Sequence, residues 1–128
     1  MTATVEFARS VPKDVDVIAV PVFSSGAVPR AVGLSRAALA TNGFEGKAAE
    51  TLVIPAASGP ATIAVGIGKP GELTAKVLRD AAAAAVRAAG KRSRMATTLA
   101  DLDGVEAVVA AQAIVEGALL ASHRFAAR

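Results

Sequence analysis

Three glycines carry the clearest chemical pattern in the chain. Gly66, Gly68 and Gly71 stand at the spacing G-x-G-x-x-G, between an apolar run and a long alanine-rich segment, within Ala61–Gly90. A glycine turn between a strand and a helix N-terminus can turn backbone N–H groups toward a phosphate. The same residues can serve a plain strand-to-helix turn, for which glycine supplies unusual φ/ψ angles. The surroundings favour the turn. A dinucleotide fold places this motif after its first strand, with an acidic residue about 20 positions further on. Here the apolar run around Asp16–Val22 comes earlier, Asp80 falls inside the predicted helix, and Asp101 and Asp103 lie farther off. Pro70 removes one N–H from the proposed cradle. No Lys-Ser/Thr pair follows the last glycine, which rules out a Walker loop.

Other chemistry is sparse. His123 is the single histidine and there is no cysteine, so a transition-metal site of the usual kind cannot be assembled, and no disulfide argues for an oxidising compartment. A lone histidine near a helix end more commonly complements the dipole or packs than catalyses. Glu45, Glu50, Glu72, Asp80, Asp101, Asp103, Glu106 and Glu116 are scattered without an evident cluster. There is no Gly-x-Ser-x-Gly elbow, and Ser24, Ser25 and Ser58 sit in expected turns. No catalytic residue and no metal ligand are expected.

The elements that position these residues can be read from pattern. A chain of 128 residues makes one domain and can bury a real core. Aromatic content is 3% and mean hydropathy is +0.49, so the core must be close-packed Val, Ile, Leu and Ala. Val5 and Phe7 suit a short edge strand, and Val15–Phe23 a central strand buried on both faces. Ser35 can cap a short helix through Leu39, closed by Asn42-Gly43. Glu50–Pro55 and Ala61–Ile67 flank a five-residue loop, which implies an antiparallel hairpin. Leu73–Ala89 is a helix ended by Gly90. Its outer face should be Lys76, Asp80, Ala83 and Arg87, and its inner face Leu73, Val77, Leu78, Ala81, Ala85 and Ala88. Met95–Leu99 is a further strand, and Asp103 with Glu106 can cap a last helix to about Phe125. The fold class is α/β, a mixed β-sheet flanked by helices.

That last helix carries few polar residues, which suggests cover on more than one side. Gly117 in its middle costs about 1 kcal/mol relative to Ala and points to a close crossing. Val105, Val108, Val109, Val115, Leu119 and Leu120 cover too much of its circumference for one sheet face to bury, so we expect self-association or an exposed apolar patch.

Net charge is +3, with cations gathered at Arg87, Lys91, Arg92 and Arg94. Without interleaved aromatics to stack bases, this reads as a solvated helix end more than a nucleic-acid surface. The opening MTATVEFARS lacks a basic stretch followed by an apolar run, and no long run is free of polar residues. We expect a cytoplasmic protein without a membrane partner.

Three segments together resemble the N-terminal domain of the cytosol (leucyl) aminopeptidase family. They are Phe44-Glu45-Gly46-Lys47, then Val65-Gly66-Ile67-Gly68-Lys69 leading to Leu73-Thr74-Ala75 and Leu78-Arg79-Asp80-Ala81-Ala82, and finally Glu116-Gly117-Ala118-Leu119-Leu120-Ala121-Ser122-His123-Arg124-Phe125. The last run is the most distinctive, with His123 where relatives usually carry Tyr. The resemblance covers roughly Asp16 to Phe125. It implies a macro-domain-like module of a two-domain, typically hexameric enzyme that removes N-terminal amino acids from peptides. Two divalent metals (Zn or Mn) would sit in the C-terminal catalytic domain. The family's Asn-Thr-Asp-Ala-Glu-Gly-Arg metal motif does not occur here, so no catalytic residue is carried over. The expectation is a fragment or truncated relative that is inactive alone and partners a catalytic domain or itself. The alternative is a macro-domain-like module binding ADP-ribose or a related nucleotide through Gly66–Gly71 and Ser24–Gly33.

Overall fold

The computed structural model describes residues 4–7, 15–90, 94–97 and 107–126; side chains are described at 15–90, 95–97, 109–118. Five strands form one sheet: β1 (Thr4–Phe7), β2 (Val17–Val22), β3 (Thr51–Ile54), β4 (Ala61–Gly66) and β5 (Arg94–Thr97). Their spatial order is β1-β5-β2-β4-β3. β1, β5, β2 and β4 run parallel, and β3 is antiparallel to β4. The helices are a 3-10 turn (Arg30–Val32), α1 (Arg36–Thr41), α2 (Ala75–Ala89) and α3 (Ala107–Ala126).

The period of two along β2 and β4 divides the core. Val17 and Ala19, with Ala61, Ile63 and Val65, face α2 and α3 in one apolar cluster. Val20, Val22 and Ala64 face a second cluster with Val32, Leu39 and Phe44. β2 is therefore buried on both faces, as its unbroken apolar run requires. The expected hairpin is present, with register pairs from Thr51 with Val65 to Ile54 with Thr62.

Caps fall where hydroxyls stand. Ser35 Oγ accepts from Ala38 N at 3.1 Å to start α1, and Asn42 closes it. Thr74 Oγ1 accepts from Val77 N at 3.2 Å. This cap starts α2 at Ala75, two residues later than the apolar pattern indicates, because Leu73 packs into the core from outside the helix.

The burial of α2 departs from the sequence reading. Ala82, Ala84, Val86 and Ala89 are buried together with Leu78, Ala81 and Ala85, while Val77 and Ala88 are only partly buried. A one-sided amphipathic pattern cannot anticipate this, because the helix has two neighbours. The sheet covers one side and α3 packs along another. Alanine allows both approaches. It is α2, more than α3, that is covered twice: α3 buries the stripe Ala110, Ala113, Ile114, Gly117 and Ala118 and leaves Val109 and Val115 about 40% exposed (41% and 39%). Gly117 sits at the crossing. A Cβ there would overlap the Arg79 carbonyl oxygen and stand 2.9 Å from Arg79 C. Arg79 Nε and Glu116 Oε2 meet beside it at 3.7 Å. The proposed Asp103 and Glu106 cap and Val105 lie outside the described residues, and the side chains of Val108, Leu119, Leu120 and His123 are not described.

Candidate functional site

β2 and β4 end side by side, Val22 opposite Gly66. From there the chain departs in opposite directions, β2 toward α1 on one face and β4 toward α2 on the other. Such a switch of direction opens a crevice beyond the strand ends, where open α/β sheets bind ligands.

In this protein the bottom of the crevice is filled by its own backbone. The segment Phe44–Glu50 crosses over the strand ends. Gly66 must be glycine there, because a Cβ would overlap the Lys47 carbonyl oxygen and stand 2.8 Å from Gly46 C. Gly46 is held equally tightly: its φ is +87° and a Cβ would lie 2.6 Å from Phe23 O. Short hydrogen bonds tie the layers together. Gly66 N donates to Glu50 O at 2.6 Å, Ala49 N to Gly66 O at 2.9 Å, Ile67 N to Val22 O at 3.1 Å, Gly68 N to Gly46 O at 2.9 Å, and Ser24 N to Gly68 O at 2.9 Å.

These bonds bear on the glycine motif. The N–H groups of Gly66, Ile67 and Gly68 all donate to protein carbonyls and do not point at open space. Gly71 has φ +87° and follows Pro70 in a turn closed by Glu72 N donating to Lys69 O at 3.1 Å. Proline then a positive-φ glycine is the residue order of a type II turn. Asp80 pairs with Lys76 at 2.8 Å on the helix surface. Of the two phenylalanines near these loops, Phe44 is 1% exposed and belongs to the core, and Phe23 is half-buried. The three glycines thus have a structural duty each: close approach at Gly66, positive φ at Gly68 and a turn at Gly71.

Glu50 organises the crossing segment, a role that sequence reasoning did not assign. Its Oε1 accepts from the N–H groups of Glu45 (2.7 Å), Gly46 (2.9 Å) and Lys47 (3.3 Å). Three successive amides form a concave nest for an anion, and the chain fills it with its own carboxylate. The signal lay in Glu-Gly-Lys followed three residues later by Glu. On the other side, Arg36 donates through Nη1 to Phe23 O and through Nη2 to Gly26 O, each at 2.8 Å, and fixes the loop after β2.

Above the crossing segment remains a cavity of about 410 Å³, lined by Ser24, Glu45, Lys47, Ala48, Gly68, Lys69 and Glu72. That volume suits a small molecule.

The matching of known proteins follows this architecture. The model of the cytosol aminopeptidase family, N-terminal domain, matches residues 21–127, from within β2 to the end of α3. The chain belongs to this family. A probable cytosol aminopeptidase of Mycobacterium leprae is 35% identical over 115 residues, covering 89% of this chain and 22% of that protein. One from Mycobacterium ulcerans is 44% identical over 77 residues, 59% of this chain and 14% of that protein. Among solved structures, the bottromycin maturation enzyme BotP superposes with a TM-score of 0.70 at 34% identity, over 84% of this chain and 23% of that one, and is also known in complex with Mn. The chain thus spans about a fifth of the length of the relatives that it matches most fully.

The metals that the family resemblance implies do not fit the described residues. No three His, Cys, Asp or Glu side chains among them converge to hold an ion, and no described helix is long and apolar enough to cross a membrane.

Proposed function

We propose that this chain is the accessory N-terminal domain of a two-metal aminopeptidase, cytoplasmic and without peptidase activity of its own. Cleavage of N-terminal residues from peptides, and the two divalent ions that support it, belong to a C-terminal catalytic domain. The observation that carries the reading is the family match across residues 21–127, joined to relatives of which the matched part is only 14–22%. The surface of α3 agrees with it, since Val109 and Val115 are about 40% exposed (41% and 39%) beside Gln112 and Glu116. Valine is usually inside, and this strip is a natural face for a catalytic domain or a second copy of the chain. The macro-domain-like description rests on the family resemblance.

The test is a peptidase assay of the purified chain on leucyl-anilide with Mn²⁺ or Zn²⁺, run beside sedimentation and apolar-dye binding at micromolar concentration. No turnover is expected, together with either self-association or dye binding. Metal-dependent turnover abolished by chelation would overturn the accessory role. A dye-silent monomer would remove α3 as the docking face.

A further inference from the structure

The crevice carries a charge arrangement that the accessory role does not use. Two ammonium and two carboxylate groups line it. The ion pairs formed among the described residues are Lys47–Glu45 at 3.5 Å, Lys76–Asp80 at 2.8 Å and Arg79–Glu116 at 3.7 Å. Lys47 and Glu45 therefore pair with each other. Lys69 and Glu72, which line the same crevice, take part in none of these pairs. They occupy the two ends of the Lys69-Pro70-Gly71-Glu72 turn, whose end Cα atoms lie within about 7 Å of each other. Pro70 fixes its own φ and the closing hydrogen bond fixes the turn, so a cation and an anion are presented together from one rigid base.

A ligand suited to that base carries both charges. A phosphate or a nucleotide would gain Lys69 but meet Glu72 and Glu45, and the amides of Gly66, Ile67 and Gly68 are spent on the Glu50, Val22 and Gly46 carbonyls. A simple amine would meet the opposite conflict. Ala48 and Gly68 leave room for a side chain within the 410 Å³. We propose that this crevice binds a small zwitterion, of free-amino-acid to dipeptide size, with its carboxylate at Lys69 and its ammonium at Glu72. The proposal rests on the crevice alone and stands or falls apart from the accessory role.

The test is amide-resolved NMR titration of the full chain with L-leucine and with L-leucylglycine, beside N-acetyl-leucylglycine and leucylglycinamide, each of which lacks one charge. Saturable shifts at Ser24, Ala48, Gly68, Lys69, Gly71 and Glu72 are expected with at least one zwitterion. Each blocked analogue should bind about tenfold or more weakly, as should the zwitterion to Lys69→Gln and to Glu72→Gln. Both residues are exposed, and unchanged melting of the variants will separate lost binding from lost fold. Absence of saturation at tens of millimolar, equal binding of the N-blocked analogue, or displacement of the zwitterion by inorganic phosphate in Glu72→Gln and wild type alike would overturn the assignment.

Discussion

Gly117→Ala isolates the helix crossing on which the α2 layer depends. The added methyl would overlap the Arg79 carbonyl oxygen and stand 2.9 Å from Arg79 C and 3.2 Å from Arg79 Cα. All three are backbone atoms in the middle of α2, so no side chain can swing aside. The helices must separate by on the order of 1 Å, a gap that forfeits a quarter to a half of each dispersion contact across it. Ala110, Ala113, Ile114 and Ala118 share that contact surface. Overpacking of this kind costs about 1–3 kcal/mol, and a backbone clash belongs at the upper end. Alanine returns about 1 kcal/mol of helix propensity. The expected net loss is therefore about 2 kcal/mol, or roughly 5–12 °C in melting temperature for a domain of this size. Gly117→Leu should be worse. Gln112→Ala, on the exposed side of the same helix, should change stability by less than about 0.5 kcal/mol. Urea and thermal unfolding of the three variants give the comparison. A Gly117→Ala protein that melts at or above the wild-type temperature would mean that propensity wins, and the close crossing would carry no energetic weight.

Two further outcomes concern the crossing segment. Glu50→Ala removes the acceptor of three amides; water can reach part of that nest, so the loss should be about 1–3 kcal/mol, with faster hydrogen exchange at Glu45, Gly46 and Lys47 as its local signature. Ala49 has φ +66°, a left-handed conformation that costs a non-glycine residue about 1–2 kcal/mol. Ala49→Gly should stabilise by about 0.5–1 kcal/mol after the greater freedom of the unfolded glycine is subtracted, seen as a higher urea midpoint with an unchanged slope.

The local periodicities of this chain were sufficient for its elements. The alternation and apolar continuity at Val17–Val22, the hairpin around Ala56–Pro60, the Ser35 cap and the glycine at the α2–α3 crossing all follow from rules that act within a few residues. So does the α/β order, and the segments around Phe44, Gly66 and Glu116 carry the family. Tertiary structure shows where the amides around the glycines at 66 and 68 donate. Their spacing is compatible with a phosphate cradle or a plain turn, and the difference lies in whether the amides have other partners. Those partners, Glu50 O, Val22 O and Gly46 O, come from segments up to 45 residues away by number, and sequence spacing says nothing about them. The double cover of α2 was hidden for a related reason: burial is a property of neighbours, and alanine looks the same on a face met by one neighbour or by two. The nest closed by Glu50 and the Lys69–Glu72 turn are themselves local motifs; tertiary structure decided that they meet at one crevice, because β2 and β4 lie side by side and send the chain to opposite faces of the sheet.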